Sequence, residues 1–232
     1  RLLPRILRER RRRWEEAELA KLVAKGKPPM DDRWKQRYKE PAPPRTAGLA
    51  ELPSTWCWAT VEQLTPFDRP AAYGVLQPGS DTDGGIEFVR VCDIWEGAIL
   101  RDQLKRISPA IAARYPRTRL EGGEVLVTIV GTIGRSAVVP AELTGANTAR
   151  AVAVLPIAPP IEARYVEICF RNPAKARELT GKAHEVARKT LNLEDVRATC
   201  IPLPPQEEQA VIAEMVDDTW TIVQSVEQTV EA

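Results

Sequence analysis

The chain has 232 residues, 44% apolar and 28% charged, with 33 Lys/Arg against 32 Asp/Glu. That composition describes an ordinary globular protein, long enough to bury a core without disulfides or a structural metal. No apolar run approaches the roughly 18–20 residues of a membrane span and the first residues carry no signal-peptide core, so a cytoplasmic location is expected and a membrane role is not.

The near-zero balance hides an asymmetry: residues 1–40 hold 14 Lys/Arg against 7 Asp/Glu, and residues 206–232 hold 7 Asp/Glu and no Lys or Arg. Such ends can attract one another or complementary helices, and a basic arm can meet phosphate. Two solvated faces would have the same composition. The chain also opens without Met, which suggests a trimmed or fragmentary protein.

Residues 1–25 read as a basic helix, with Leu3, Ile6, Leu7, Trp14, Ala17, Ala20 and Ala24 at three- and four-residue spacing. Residues 26–52 form a Pro-rich linker, from Gly26-Lys27-Pro28-Pro29 through Pro41-Ala42-Pro43-Pro44, whose prolines favour extended chain. Residues 53–205 then form the folded domain, a mixed α/β unit. Ile86–Val91, Val125–Val130, Ser136–Val139 and Ala151–Leu155 read as strands, and the nearly continuous apolar run at 125–130 suits a strand covered on both faces. Residues 161–171 and 174–182 read as helices, and Cys200–Leu203 as a closing edge strand containing Pro202.

Residues 206–232 form a second long helix. Ile212, Met215, Thr219, Ile222, Val226 and Thr229 recur every three or four residues, the stripe of a helix made to pack on another helix in a coiled coil. Ile212, Met215, Ile222 and Val226 are the candidate subunit interface. Packing back onto the chain's own domain is the alternative.

Catalytic signatures are missing. There is no G-x-G, no G-x-x-x-x-G-K-[ST], no H-E-x-x-H and no G-x-S-x-G, so neither a dinucleotide or adenosyl fingerprint nor a triphosphate loop is present. Cys57, Cys92, Cys169 and Cys200 are scattered without a C-x-x-C pair, which fits separate thiols rather than a zinc site. The single imidazole, His184, reads as an exposed and structurally neutral residue, with no accompanying nucleophile motif. Asp81 with Asp83, and Asp217 with Asp218, read as solvated charge rather than metal ligands. No metal site is expected.

Several segments together resemble a known family: Leu52-Pro53-Ser54-Thr55-Trp56-Cys57-Trp58, Phe88-Val89-Arg90-Val91-Cys92-Asp93-Ile94, Gly122-Gly123-Glu124-Val125-Leu126-Val127-Thr128 with Gly131-Thr132-Ile133-Gly134-Arg135, Asn147-Thr148-Ala149-Arg150-Ala151, Thr190-Leu191-Asn192-Leu193, and Ile201-Pro202-Leu203-Pro204-Pro205-Gln206-Glu207-Glu208-Gln209. In order and spacing they are similar to the DNA specificity subunit of type I restriction–modification enzymes, over residues 40–232. The resemblance implies an α/β target-recognition domain flanked by long conserved helices, reading one half of a split sequence in double-stranded DNA. It implies partners too: methyltransferase subunits and a restriction subunit that translocates and cleaves. S-adenosylmethionine, ATP and Mg²⁺ would then belong to those partners, with no cofactor in this chain. Family members commonly carry two recognition domains, whereas this chain has one. It is therefore either the distal half of a larger subunit or a half-sized subunit that pairs with itself.

DNA contact requires cationic, amide or hydroxyl side chains on loops beside a rigid sheet. Lys182, Arg188, Lys189, Thr190 and Asn192 form the first candidate cluster. The loop with Thr132 and Arg135 is the second, although its glycines also suit a tight hairpin with positive φ. Asn147 and Arg150, flanking a strand, are the third. Trp56 and Trp58 read as core or domain-edge packing rather than base-stacking residues. Two other classes stay open: an enzyme with an unrecognised site, and a helix-mediated scaffold with no DNA role.

Overall fold

A computed structural model describes residues 1–185 and 189–231. The first helix, α1 (Leu2–Ala24), lays Leu2, Leu3 and Ile6 on the main core, and only Ile6 is fully covered. Its exposed side is laced by Arg–Glu pairs one turn apart, such as Arg11 with Glu15 and Arg13 with Glu9. Each such pair adds only a few tenths of a kcal/mol to a helix.

Within the segment expected to be plain extended chain, residues 31–38 are folded back on α1 instead. Asp31 accepts the Arg33 backbone N–H and starts a 3₁₀ turn over Asp32–Arg37. Trp34 then stacks on Trp14 with ring centroids 6.1 Å apart, Tyr38 tilts onto Trp14 at 5.2 Å, and Arg10 donates to the Tyr38 hydroxyl. Prolines rule out a helix there. They do not stop three aromatic rings from shedding water against each other.

The remaining elements run β1 (Cys57–Thr60), α2 (Val61–Leu64), β2 (Ala72–Tyr73), β3 (Ile86–Val89), β4 (Ile94–Trp95), β5 (Ala98–Ile99), β6 (Lys105–Ile107), α3 (Pro109–Ala112), β7 (Val125–Thr128), β8 (Ser136–Val138), β9 (Asn147–Thr148), β10 (Val152–Leu155), α4 (Ala163–Arg171), α5 (Pro173–Lys182), β11 (His184–Glu185), β12 (Lys189–Thr190), α6 (Leu193–Arg197), β13 (Cys200–Leu203) and α7 (Gln206–Glu231). This is a mixed helix-and-sheet fold with long terminal helices.

Its centre is the antiparallel four-stranded sheet β2–β10–β7–β8. Every residue of β7 and β10 is buried, and their alternation explains why both strands are almost continuously apolar, with Thr128 the one polar residue. Val125, Val127, Ala153 and Leu155 face one cluster, with Tyr165, Val166 and Phe170 of α4 and Leu179 of α5. Leu126, Val152 and Val154 face the other, with Val89, Ile94, Ile99 and Leu143. A strand covered on both faces has no polar side to show. The start and end of the domain are clamped by β1 pairing with β13, Cys57 opposite Leu203 and Thr60 opposite Cys200. Trp56 and Trp58 sit at that edge, donating from their indoles to Glu208 and to the Ala50 carbonyl.

Helix α7 sinks apolar side chains into the domain only near its start. Gln209 is fully buried, accepting the Glu162 backbone N–H and donating to the Pro204 carbonyl, while Ala213 is buried and Ile212 rests on the main core. Ile212 is thus a correction to the expected interface: its face is turned to its own domain. Met215, Ile222 and Val226 remain 63%, 63% and 56% exposed.

Candidate nucleic-acid interface

The registers of the central sheet bring four chain ends to one place. Val152 pairs with Thr128, Val127 with Ser136, and Ala153 with Tyr73, so the end of β7, the starts of β8 and β10 and the end of β2 lie together. A distant segment joins them there. Val130 bridges Thr190, Gly131 N–H donates to the Lys189 carbonyl, Leu191 N–H to the Ile129 carbonyl, and Ile129 N–H to the Ala151 carbonyl. Thr132, Arg135, Arg150, Lys189 and Thr190, up to 58 residues apart in sequence, therefore share one loop end of a rigid sheet.

Each side chain there has a local cause. Gly131 and Gly134 take φ of +76° and +93°, the backbone that lets the β7–β8 connection turn tightly. Gly134 N–H returns to the Thr128 carbonyl, which leaves Thr132 exposed and Ile133 buried. Arg135 is fixed by its backbone N–H on the Thr128 hydroxyl, and its guanidinium lies 4.2 Å above the centre of the Trp95 ring. Trp95 is itself 47% exposed. Arg150 and Lys189 are exposed.

Lys182 closes α5 and hydrogen-bonds Glu178 at 2.7 Å. Burial works to raise the Glu178 carboxyl, but hydrogen bonds from Lys175 and Lys182 hold it below the ordinary carboxylate range. The chain then enters β11, which pairs with β12 through His184 opposite Thr190. His184 is exposed, with its Nε2 3.5 Å from Asn192 Nδ2. Asn192 is the N-cap of α6, accepting the Asp195 backbone N–H at 2.8 Å, so its carbonyl oxygen is already engaged. Arg188 lies outside the described residues.

Asn147 is a correction. It is 1% exposed, accepts from the Thr118 hydroxyl at 2.7 Å and donates to the Tyr115 carbonyl. An amide with both ends committed in the interior cannot reach a base edge. Asp217 is a second correction: Arg164 grips it, so it is not merely solvated charge.

Three exposed side chains at or beside this end had no motif to flag them: Tyr73, Leu76 and Trp95. The one usable signal was Gly74 after Tyr73. A Cβ there would stand 1.9 Å from the Thr148 carbonyl oxygen, so the chain needs a glycine where the two backbones meet.

Among the described residues, no group of three or more His, Cys, Asp or Glu could hold a metal ion, and no helix is long and apolar enough to cross a membrane. The four cysteines are free thiols. Burial raises Cys57 and Cys92 above the ordinary thiol range and pushes Cys169 up to about 11, so these three are not nucleophilic thiolates.

Residues 81–232 match the type I restriction modification DNA specificity domain. The chain belongs to that family. Among members of the specificity family, it is 38% identical over 180 residues to the type I restriction enzyme EcoBI specificity subunit of Escherichia coli, a match covering 77% of this chain and 38% of that subunit. Its fold is similar to the HsdS subunit of Thermoanaerobacter tengcongensis, with a TM-score of 0.58 at 19% identity over 78% of this chain and 41% of that one. A chain from a structural study of complex assembly and conformational transition in a type I restriction–modification system aligns over 98% of this chain and 51% of its own, with a TM-score of 0.59 at 18% identity. The chain thus spans 38% to 51% of the length of these relatives.

Proposed function

We propose that this chain is a sequence-specific DNA recognition unit of a type I restriction–modification complex, reading one half of a bipartite target in double-stranded DNA. The observation that carries this is the gathering of Thr132, Arg135, Arg150, Lys189 and Thr190, with Lys182 alongside, on one loop end of a two-sided core sheet. Rigid presentation of guanidinium and hydroxyl groups is what base-edge recognition needs, and the lysines suit phosphate.

The unit is non-catalytic in this reading. Methylation and cleavage, with S-adenosylmethionine, ATP and Mg²⁺, belong to methyltransferase and restriction subunits, which dock on the terminal helices. Met215, Ile222 and Val226 of α7 are the apolar surface offered for that docking. Residues 41–205 are nearly neutral, with 19 Lys/Arg against 18 Asp/Glu, so much of the phosphate grip comes from partner subunits. The complex works in the cytoplasm.

The test is a graft. Residues 53–205 placed in another specificity subunit should carry over one half of the methylated sequence, read by methylation-site sequencing. A hybrid that assembles and keeps its original sequence overturns the proposal.

A further inference from the structure

Four elements meet on a cluster of charge that DNA contact does not use. Glu167 of α4 is fully buried, and its Oε1 accepts from the Ser136 hydroxyl at 2.9 Å, at the first residue of β8 and next to Arg135. Arg164 donates to Glu167 at 2.5 Å and, from Nε, to both carboxylate oxygens of Asp217 on α7 at 3.1 Å. Arg171 stands 3.7 Å from Glu167 and 4.0 Å from Asp217, and lies 5.5 Å from the centre of the Trp220 ring of α7. It also donates to the Glu96 carbonyl in the β4–β5 turn at 3.3 Å.

That turn is shaped to the two guanidiniums. Glu96 and Gly97 both have positive φ, at 48° and 84°, and a Cβ on Gly97 would stand 2.8 Å from an Arg164 nitrogen and 3.2 Å from an Arg171 nitrogen. The same hairpin carries Trp95, on which Arg135 lies. One buried carboxylate and two arginines therefore connect both supports of Arg135, its strand and its stacking partner, to Asp217 and Trp220 of α7. An apolar seam would hold the helix at lower desolvation cost but without direction. Buried charge is best explained where it sets register.

We infer that this cluster is the joint that positions the loop end against α7, with Asp217 as the positioning residue on the helix side. The inference rests on the loop end being the DNA-facing surface and α7 the assembly helix. DNA binding at the loop end and subunit docking on α7 are then coupled through the same arginines.

Asp217→Asn removes the ionic grip with little change of shape, and Asp218→Asn removes the same charge from the neighbouring, exposed position. Hydrogen exchange of the chain alone should quicken at residues 94–99 in Asp217→Asn and not in Asp218→Asn, with Asp217→Glu restoring protection. In the full specificity subunit assembled with its methyltransferase, binding is measured to a duplex carrying the sequence methylated in the host and to a single-base variant of it. Asp217→Asn should lower that discrimination by about tenfold, within the range of coupling between sites, while Asp218→Asn leaves it unchanged. If the two Asn variants behave alike, or exchange quickens with discrimination intact, the joint does not position the reading edge. If the wild-type complex does not discriminate between the duplexes, it is the DNA reading that fails, and the inference with it.

Discussion

Arg135 and Asn147 show how burial reassigns residues of the same apparent chemistry. Both flank strands in glycine- or threonine-rich stretches, yet Arg135 lies half-buried against the exposed Trp95 ring while Asn147 is locked to Thr118 and Tyr115. If Arg135 reads a base as proposed, Arg135→Ala should relax the target at one position, at a cost of about 1–3 kcal/mol. Lys189→Ala should weaken all sequences alike and lower the salt slope by about one. Titrations of target and single-mismatch duplexes at several salt concentrations separate the two, and equal behaviour would remove Arg135 from the base-reading set. In the interior, Glu167→Ala leaves Arg164 and Arg171 without their central carboxylate and should destabilise the domain by about 3–5 kcal/mol, measured by urea unfolding. The Asp217 carboxyl is held below its ordinary range by the hydrogen bond from Arg164. Its contribution is therefore complete above the unfolded-state pKa and is lost only as the pH falls through the lower folded-state value. The stability difference between wild type and Asp217→Asn should persist from neutral pH into the ordinary aspartate range and vanish below it. It should be small, because Asp217 is partly exposed.

At the scale of elements, periodicity located the pieces and neighbours decided their use. The nearly continuous apolar run at 125–130 was legible as a doubly covered strand because only Thr128 in it needs a polar partner, which the Arg135 backbone N–H supplies. Its last two residues leave β7 to pair instead with 151 and 190, a long-range contact with no local signature. The stripe of α7 was equally legible, but one stripe serves two surfaces: Ile212 and Ala213 pack inward, and Met215, Ile222 and Val226 face out. Ile222→Asp with Val226→Asp should abolish assembly with the methyltransferase subunits in size-exclusion chromatography while the domain's melting temperature stays put. Charges buried in such a seam cost several kcal/mol. Retained assembly would show that these residues lie outside the docking surface. Within the segment 26–52 the fold of residues 31–38 was not legible because Pro content reports what the backbone cannot do, while Trp34 and Tyr38 find Trp14 only once α1 is formed.

Over the whole molecule, the sequence by itself determined the class, the order of parts and the family. Apolar alternation, Pro and Gly punctuation and the spacing of short motifs are local properties, and a helix–domain–helix layout with no catalytic signature follows from them. Only the tertiary structure decided which polar residues meet. Thr132, Arg150 and Lys189 converge because antiparallel pairing returns the chain to the same end of one sheet. Glu167, unremarkable in a helical stretch, becomes the centre of a buried ionic cluster because α4 lies against both β8 and α7. Strand register and burial are set by contacts between residues far apart in the chain, so no local pattern encodes them.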